Sequence, residues 1–158
     1  MRMASGPRSH PAAHPGLQTT RFSTVRSPRH RCSGQDHPIA ILIVEDDFLA
    51  AMEMESVLKE AGYRVAGVAA HADEAVRLAK SATPALVIMD IRLAGNSDGV
   101  NAAVDIYRAT GIRSIFATAH YDAHTRSRAE AATPLGWLPK PYAPHALLAL
   151  VKKAVGEL

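Results

Sequence analysis

Short apolar runs alternate with helix-patterned segments along residues 39–158. The most informative run is Ala85-Leu86-Val87-Ile88-Met89-Asp90, in which five apolar residues end in one carboxylate. An uninterrupted apolar run of this length between turn residues is typical of a strand in a parallel sheet that is covered on both faces. Pro84 precedes the run, and a loop-forming segment at residues 95–99 follows it. The run therefore predicts an α/β fold in which Asp90 lies at the carboxyl end of a buried strand.

The same arrangement occurs five times. Besides the strand that ends at Asp90, the predicted strands are residues 39–44, 65–69, 112–117 and 136–138. Apolar residues at helical spacing follow each strand, except that the fourth helix, from Asp122 to about Ala132, has a weak apolar stripe and is expected to be exposed. Strict alternation of strands and helices predicts a doubly wound parallel sheet with helices on both faces.

Composition divides the chain near residue 38. Residues 1–38 hold six Arg and one acidic residue and few large apolar residues, so we predict a disordered basic tail before one folded domain at 39–158. A flexible basic arm and a start site assigned upstream of the real protein both fit this tail. A transit peptide and a nucleic-acid-binding arm are further alternatives that the composition leaves open.

Charge and cysteine content exclude several kinds of site. Residues 39–158 hold twelve Lys and Arg against fourteen Asp and Glu, so the predicted domain has no basic excess for nucleic-acid binding. Cys32 is the only cysteine, which excludes a disulfide or a Cys-based zinc site within one chain. No apolar run approaches the roughly 20 residues that cross a membrane. These observations agree with a cytoplasmic protein that has no membrane partner.

Polar residues follow the predicted strands at the points where they end. They are Glu45, Asp46, Asp47, Asp90, Thr118 and Lys140. The carboxyl ends of parallel strands meet at one edge of a sheet, so these side chains are expected to lie together. Clustered carboxylates suit Mg²⁺, and a Lys with a hydroxyl suits a phosphoryl group. The set predicts Mg²⁺-assisted phosphoryl transfer to a carboxylate, although for any one of these residues by itself a helix cap or turn is the favoured interpretation.

The motifs Val44-Glu45-Asp46-Asp47, Met89-Asp90, Thr118-Ala119 and Lys140-Pro141 resemble those of the receiver domain of bacterial two-component response regulators, the CheY-like superfamily. The resemblance covers residues 39–158, and the order and spacing of the motifs together are specific. It implies a flavodoxin-like sheet of five parallel strands in the order 2-1-3-4-5, flanked by five helices.

The resemblance also implies a role for each site residue. Asp90 would accept a phosphoryl group from a phosphohistidine of a sensor histidine kinase. Asp46 would bind Mg²⁺ directly, Glu45 would assist through water, and the backbone carbonyl of Arg92 would be a further ligand. Thr118 and Lys140 would each contact a phosphoryl oxygen.

Two further features are implied by the resemblance. Lys140-Pro141 would be a cis peptide. Trp137 occupies the aromatic switch position, so a shift of Thr118 towards the phosphoryl group would couple the site to the face formed by helix four, strand five and helix five. That face would bind an unknown downstream partner or a second copy of the chain. The alternative for Trp137 is a packed core residue.

Two departures from the common receiver pattern and one short motif point to a subset. Ala94 stands where most receivers have a proline, and the interval from Asp90 to Gly99 is one residue longer than usual. With Phe116-Ala117-Thr118, these features resemble α-proteobacterial receivers that work with HWE and related (HisKA2) histidine kinases, although Ala119 replaces a glycine of that subset.

The function predicted is that of a stand-alone receiver in a phosphorelay, with no enzymatic activity beyond its own phosphorylation and dephosphorylation. No DNA-binding domain is expected, because no helix-turn-helix pattern follows the receiver. One alternative is a degenerate receiver that binds partners without phosphorylation. The alternatives from another class are a hydrolase, suggested by the Gly-x-Ser-x-Gly pattern at 95–99, and an Asp-dependent phosphatase, which would want a carboxylate where Arg92 stands.

Overall fold

A computed structural model describes residues 38–119 and 122–158, and within them five parallel strands form one sheet. The strands are β1 (Ala40–Val44), β2 (Arg64–Ala69), β3 (Leu86–Asp90), β4 (Arg113–Thr118) and β5 (Gly136–Pro139). Their spatial order is β2-β1-β3-β4-β5, and all four neighbouring pairs are parallel. This confirms the flavodoxin-like topology predicted from the sequence. The tail predicted at 1–38 lies outside the described residues except for Pro38.

Five α-helices cover the two faces of the sheet. They are α1 (Phe48–Glu60), α2 (Ala72–Ala82), α3 (Gly99–Thr110), α4 (Ala123–Ala129) and α5 (Pro144–Val155), and a 3-10 turn at Glu130–Ala132 continues α4. Helices α1 and α5 pack on one face, and α2, α3 and α4 pack on the other. None of the helices in the described ranges is long and apolar enough to cross a membrane.

The central strand β3 is buried along its whole length. Leu86 and Ile88 point into the core under α1 and α5, whereas Val87 and Met89 point into the core under α2 and α3. A strand with a core on each side has no polar face, which explains why its sequence is a continuous apolar run that ends only at Asp90. The central position of β3 therefore follows directly from its composition.

The helix boundaries follow local signals in the sequence. The Asp47 carboxylate caps α1 by accepting hydrogen bonds from the backbone N–H groups of Leu49 (2.9 Å) and Ala50 (3.2 Å). Asp122 caps α4 in the same way, and Pro144 occupies the first turn of α5. After α3, Gly111 adopts a left-handed conformation (φ +76°) that ends the helix.

The segment after Asp90 contains a short hairpin that we did not predict. Arg92–Leu93 pairs in antiparallel fashion with Ser97–Asp98 around a turn at Ala94–Asn96. This hairpin fills the long interval between Asp90 and α3. Ser97 therefore lies in a hairpin strand, and the turn that a hydrolase nucleophile requires directly between a strand and a helix is not formed around it.

Ser114 is buried in β4, and its hydroxyl has no hydrogen-bond partner among the described residues. An unpaired buried hydroxyl costs about 1–3 kcal/mol relative to water. Ser114→Ala is therefore expected to raise the free energy of unfolding by about 1 kcal/mol, as measured by urea denaturation. A loss of stability in Ser114→Ala would show instead that the hydroxyl is hydrogen-bonded.

Candidate active site

The polar residues at the strand ends line one cavity of about 480 Å³ at the carboxyl edge of the sheet. The lining residues are Glu45, Asp46, Asp47, Asp90, Arg92, Thr118, Ala119 and Lys140. Glu45 directly follows β1, Asp90 ends β3, and Lys140 directly follows β5. The parallel topology thus brings together every predicted site residue except Trp137.

Lys140 lies between two carboxylates. Its Nζ donates hydrogen bonds to Glu45 Oε2 (2.5 Å) and to Asp90 Oδ2 (2.6 Å). The Glu45 side chain is 2% exposed and that of Asp90 is 11% exposed, whereas Lys140 keeps 21% of its side-chain surface in solvent. The ammonium group therefore neutralises two nearly buried acids from the open side of the cavity.

Burial and pairing shift the pKa values of this cluster. Burial raises the pKa of Glu45 above its usual value, and the hydrogen bond from Lys140 offsets only part of this increase. Burial acts to lower the pKa of Lys140, but its hydrogen bonds with Asp90 and Glu45 outweigh that effect and raise it. Lys140 is therefore a permanent cation at neutral pH.

Three carboxylates are close enough to hold one cation. Glu45, Asp46 and Asp90 each place an oxygen within 4.8 Å of the others. The first and last are buried and Asp46 is exposed, so a bound ion would remain in contact with water. Mg²⁺ prefers oxygen ligands, needs few carboxylates and retains several waters, so the residues present fit it.

The backbone fixes the position of the Asp90 carboxylate. The backbone N–H of Arg92 donates a hydrogen bond to Asp90 Oδ1 (3.1 Å), which leaves Oδ2 for Lys140. The predicted role of the Arg92 carbonyl as a metal ligand remains a prediction.

Thr118 and Lys140 are joined through the backbone. The Lys140 N–H donates to the Thr118 carbonyl at 2.9 Å, which continues the pairing between β4 and β5 beyond the strands. Thr118 is buried, and the Lys140-Pro141 peptide is cis, as predicted. The hydroxyl and the ammonium group therefore approach the cavity from neighbouring strands.

Trp137 does not line the cavity. Its ring stacks on Phe116 with a centroid distance of 4.9 Å and an interplanar angle of 26°. The Arg126 guanidinium of α4 lies 5.5 Å from the centre of the Trp137 ring. The side chain is half-buried between the core and the α4 face, so its role as a switch remains a prediction.

Sequence reasoning missed an exposed apolar surface on α1. Phe48 (73% exposed), Leu49 (74%) and Met52 (51%) lie on the solvent side of the first half of this helix. A second cavity, lined in part by Ala50, Lys140 and Tyr142, opens along a different side of the same helix. The sequence already indicated this exposed surface. Phe48 and Leu49 directly follow the acidic cluster, and at helical spacing they cannot both lie on the buried face of α1 that holds Met54.

Burial changes the pKa of the Tyr142 phenol in this second cavity. It raises the pKa of Tyr142 to about 12, so the hydroxyl remains protonated and neutral beside Lys140. The cavity thus offers an aromatic wall and one uncharged hydroxyl next to the charged cluster.

Comparisons with known proteins identify the family of the chain. The family model of the response regulator receiver domain matches residues 41–152. The phyllosphere-induced regulator PhyR of Methylorubrum extorquens is 35% identical over 122 residues, which cover 76% of this chain and 45% of that protein. The transcriptional regulatory protein PdtaR of Mycobacterium tuberculosis is 34% identical over 120 residues, which cover 76% and 58% respectively. The chain thus spans about half the length of these curated relatives.

Solved structures of response regulators and their receiver domains are also similar to this chain. The receiver domain of a modulated diguanylate cyclase from Desulfovibrio desulfuricans G20 has a TM-score of 0.69 and 36% identity, covering 75% of this chain and 94% of that one. PhyR from Brucella abortus has a TM-score of 0.65 and 30% identity, covering 76% and 49%. On the sequence match, the fold and the acidic site together, the chain belongs to the response regulator receiver domain family.

Proposed function

We propose that this chain is a phosphorylation-controlled receiver that works in the cytoplasm as part of a two-component phosphorelay. Asp90 accepts a phosphoryl group from a phosphohistidine on a sensor histidine kinase. The observation that carries the proposal is the placement of Lys140 between Glu45 and Asp90, with the Asp46 carboxylate alongside. A degenerate receiver would have no need to keep this cluster of charges.

The residues present suit each requirement of the transfer. An Oδ atom of Asp90 attacks phosphorus, the P–N bond breaks, and the imidazole nitrogen leaves with the electron pair. Negative charge on the phosphoryl oxygens dominates such a transition state, so positioned cations and donors lower its energy. Lys140 supplies one cation and Thr118 one hydroxyl. Mg²⁺ held by Glu45, Asp46 and Asp90 would supply further positive charge at these oxygens.

Lys140 changes partners during this reaction. Before transfer, its Nζ is hydrogen-bonded to Asp90 Oδ2. Once Asp90 carries the phosphoryl group, the larger negative charge lies on the phosphoryl oxygens, and the ammonium group follows it. The Lys140–Glu45 hydrogen bond provides a pivot for this movement, because Glu45 is nearly buried and cannot follow.

The exposed apolar residues of α1 form the surface at which we propose that the kinase binds. Large exposed apolar side chains that cluster beside a polar site are typical of a protein interface. Phe48, Leu49 and Met52 are on α1, and Asp47, which caps this helix, lines both cavities. A helix that carries a phosphohistidine would thus bury this patch while the phosphoryl group reaches Asp90.

A second surface would carry the output. We propose that α4, β5 and α5 form a face that binds the downstream partner or a second copy of the chain. Trp137 connects this face to the site, because it stacks on Phe116, which is two residues before Thr118 in β4. A shift of Thr118 would therefore be transmitted to the Trp137 ring.

The experiment that tests the proposal is the intact mass of the protein after incubation with acetyl phosphate. The wild-type chain is expected to gain one phosphoryl group in the presence of Mg²⁺ and none in EDTA. Asp90→Asn should gain none, because an amide is a far weaker nucleophile than a carboxylate. Asp105→Asn removes an exposed carboxylate of α3 and is the matched control, which should be modified like the wild type.

Two results would contradict the proposal. If the wild-type chain gains no phosphoryl group, the degenerate receiver becomes the better description, and partner capture is the next step. If Asp90→Asn gains a phosphoryl group as the wild type does, the acceptor is another residue.

A further inference from the structure

Helix α4 buries little apolar surface. In the described structure, Ala129 alone of its seven residues is buried. Arg128 reaches from α4 to the start of α3, where its Nη2 forms an ion pair with the Asp98 carboxylate and donates to Asn101 Oδ1 at 3.1 Å. This contact joins α4 to the start of α3.

Asp98 is also part of the loop that follows the acceptor residue. One carboxylate oxygen accepts a hydrogen bond from the Val100 N–H (2.9 Å) and caps α3, while the other pairs with Arg128. The Asp98 backbone pairs with Arg92 across the short hairpin. One side chain therefore ties together the hairpin, α3 and α4.

The same loop determines the geometry of Asp90. The Arg92 N–H donates to Asp90 Oδ1 at 3.1 Å, and the Gly99 N–H donates to the Ile91 carbonyl at 2.9 Å. A continuous series of contacts thus runs from the Asp90 carboxylate through Arg92 and Asp98 to Arg128. This series lies on the α3 side of the site, apart from the Thr118–Trp137 route.

We propose that Asp98 and Arg128 are positioning residues that couple the acceptor carboxylate to helix α4. A phosphoryl group at Asp90 restricts the hairpin, holds Asp98 in place and thereby slows the opening of α4. Coupling of this kind is reciprocal, so the ion pair must strengthen ligand binding at Asp90 by the same factor by which the ligand strengthens the ion pair. The inference rests on the proposed function, because it concerns the ligand of that site.

The test combines hydrogen exchange with calorimetric titration. Beryllofluoride with Mg²⁺ serves as the phosphoryl mimic, and exchange is followed in peptides that cover α4. The wild-type chain is expected to exchange these amides more slowly when the mimic is bound. Arg128→Gln should remove most of this slowing and raise the dissociation constant of the mimic roughly two- to fivefold, the range of partly exposed ion pairs.

Matched variants separate coupling from loss of structure. Asp98→Asn keeps an oxygen that can cap α3 but loses the charge, so it should behave like Arg128→Gln. Arg128→Lys keeps the charge and should restore part of the effect. Arg77→Gln removes the same charge from an exposed pair with Glu74 on α2, outside both routes, and should retain the slowing. Salt at about 1 M should weaken the coupling relative to about 0.1 M, since partly exposed charges are screened.

The outcomes distinguish the two proposals. If the mimic binds the wild type but slows α4 equally in Arg128→Gln, the coupling is refuted and the phosphoacceptor function stands. Equal losses in Arg77→Gln and Arg128→Gln would also refute it, because charge rather than the specific pair would then matter. If the mimic does not bind the wild type, both the function and the coupling fail.

Discussion

Lys140→Met is expected to lower the free energy of unfolding by about 2–3 kcal/mol and to abolish phosphoryl incorporation. Methionine keeps the length of the apolar stem but removes the ammonium group. Glu45 and Asp90, whose side chains are 2% and 11% exposed, would then face each other without a countercharge. Leaving a buried charge unpaired costs about 3–5 kcal/mol, and the partial exposure of Lys140 places the expected loss at or just below the lower end of that range.

Added Mg²⁺ provides the sharper test of this variant. Lys140 and a divalent cation compete for the same two carboxylates, so Mg²⁺ should stabilise Lys140→Met against urea more than it stabilises the wild type. Lys59→Met is the matched control, since Lys59 pairs with Glu55 along α1 at 59% exposure and should cost less than about 1 kcal/mol. Equal losses of unfolding free energy in Lys140→Met and Lys59→Met would contradict the argument that Lys140 neutralises two nearly buried acids. Equal stabilisation of Lys140→Met and the wild type by Mg²⁺ would contradict it as well.

The stability difference between the wild type and Lys140→Met depends on pH through the shifted pKa of Lys140. Because its pKa is raised in the folded state, its stabilising effect is complete below its usual value of 10.5 and is lost as the pH rises through the folded-state value. The stability gap between wild type and Lys140→Met should therefore remain constant through neutral pH and narrow only in strongly alkaline solution.

The sheet and most of the site could be predicted because they follow from rules that act along the chain. A strand buried on both faces is a continuous apolar run, and parallel strands place their carboxyl ends together. Knowing where β3 ends was therefore enough to place Asp90 at the carboxyl edge of the sheet. The Lys140 side chain could be placed beside it by the same reasoning.

Contacts between polar side chains far apart in sequence could not be predicted in this way. Asp98 and Arg128 are 30 residues apart, and both stand in segments without apolar periodicity. Periodicity reports which face of an element is buried, whereas an ion pair depends on how two elements are placed relative to each other. The hairpin at Arg92–Asp98 was missed for a related reason, because its strands are too short to show alternation.

Gly99→Ala is expected to cost about 3 kcal/mol of unfolding free energy. A Cβ atom at Gly99 would lie 1.9 Å from the Asp90 carbonyl oxygen and 2.9 Å from its carbonyl carbon. Both are backbone atoms of the last residue of β3, so no side-chain rotation relieves the overlap. Overpacking usually costs about 1–3 kcal/mol, and a clash between two backbones belongs at the upper end of that range.

The same substitution should also impair phosphoryl acceptance in the molecules that remain folded. To accommodate the methyl group, the start of α3 must move away from the end of β3, which stretches the Gly99–Ile91 hydrogen bond and shifts the Arg92 N–H from Asp90. Urea denaturation gives the folded fraction, and phosphoryl incorporation is then compared per folded molecule. Gly67→Ala is the control, since its Cβ would meet side-chain ends rather than backbone, those of Leu78 at 3.3 Å and Leu42 at 3.7 Å. If Gly99→Ala were as stable and as readily phosphorylated as Gly67→Ala, the close packing of α3 against the acceptor residue would have no part in forming the site.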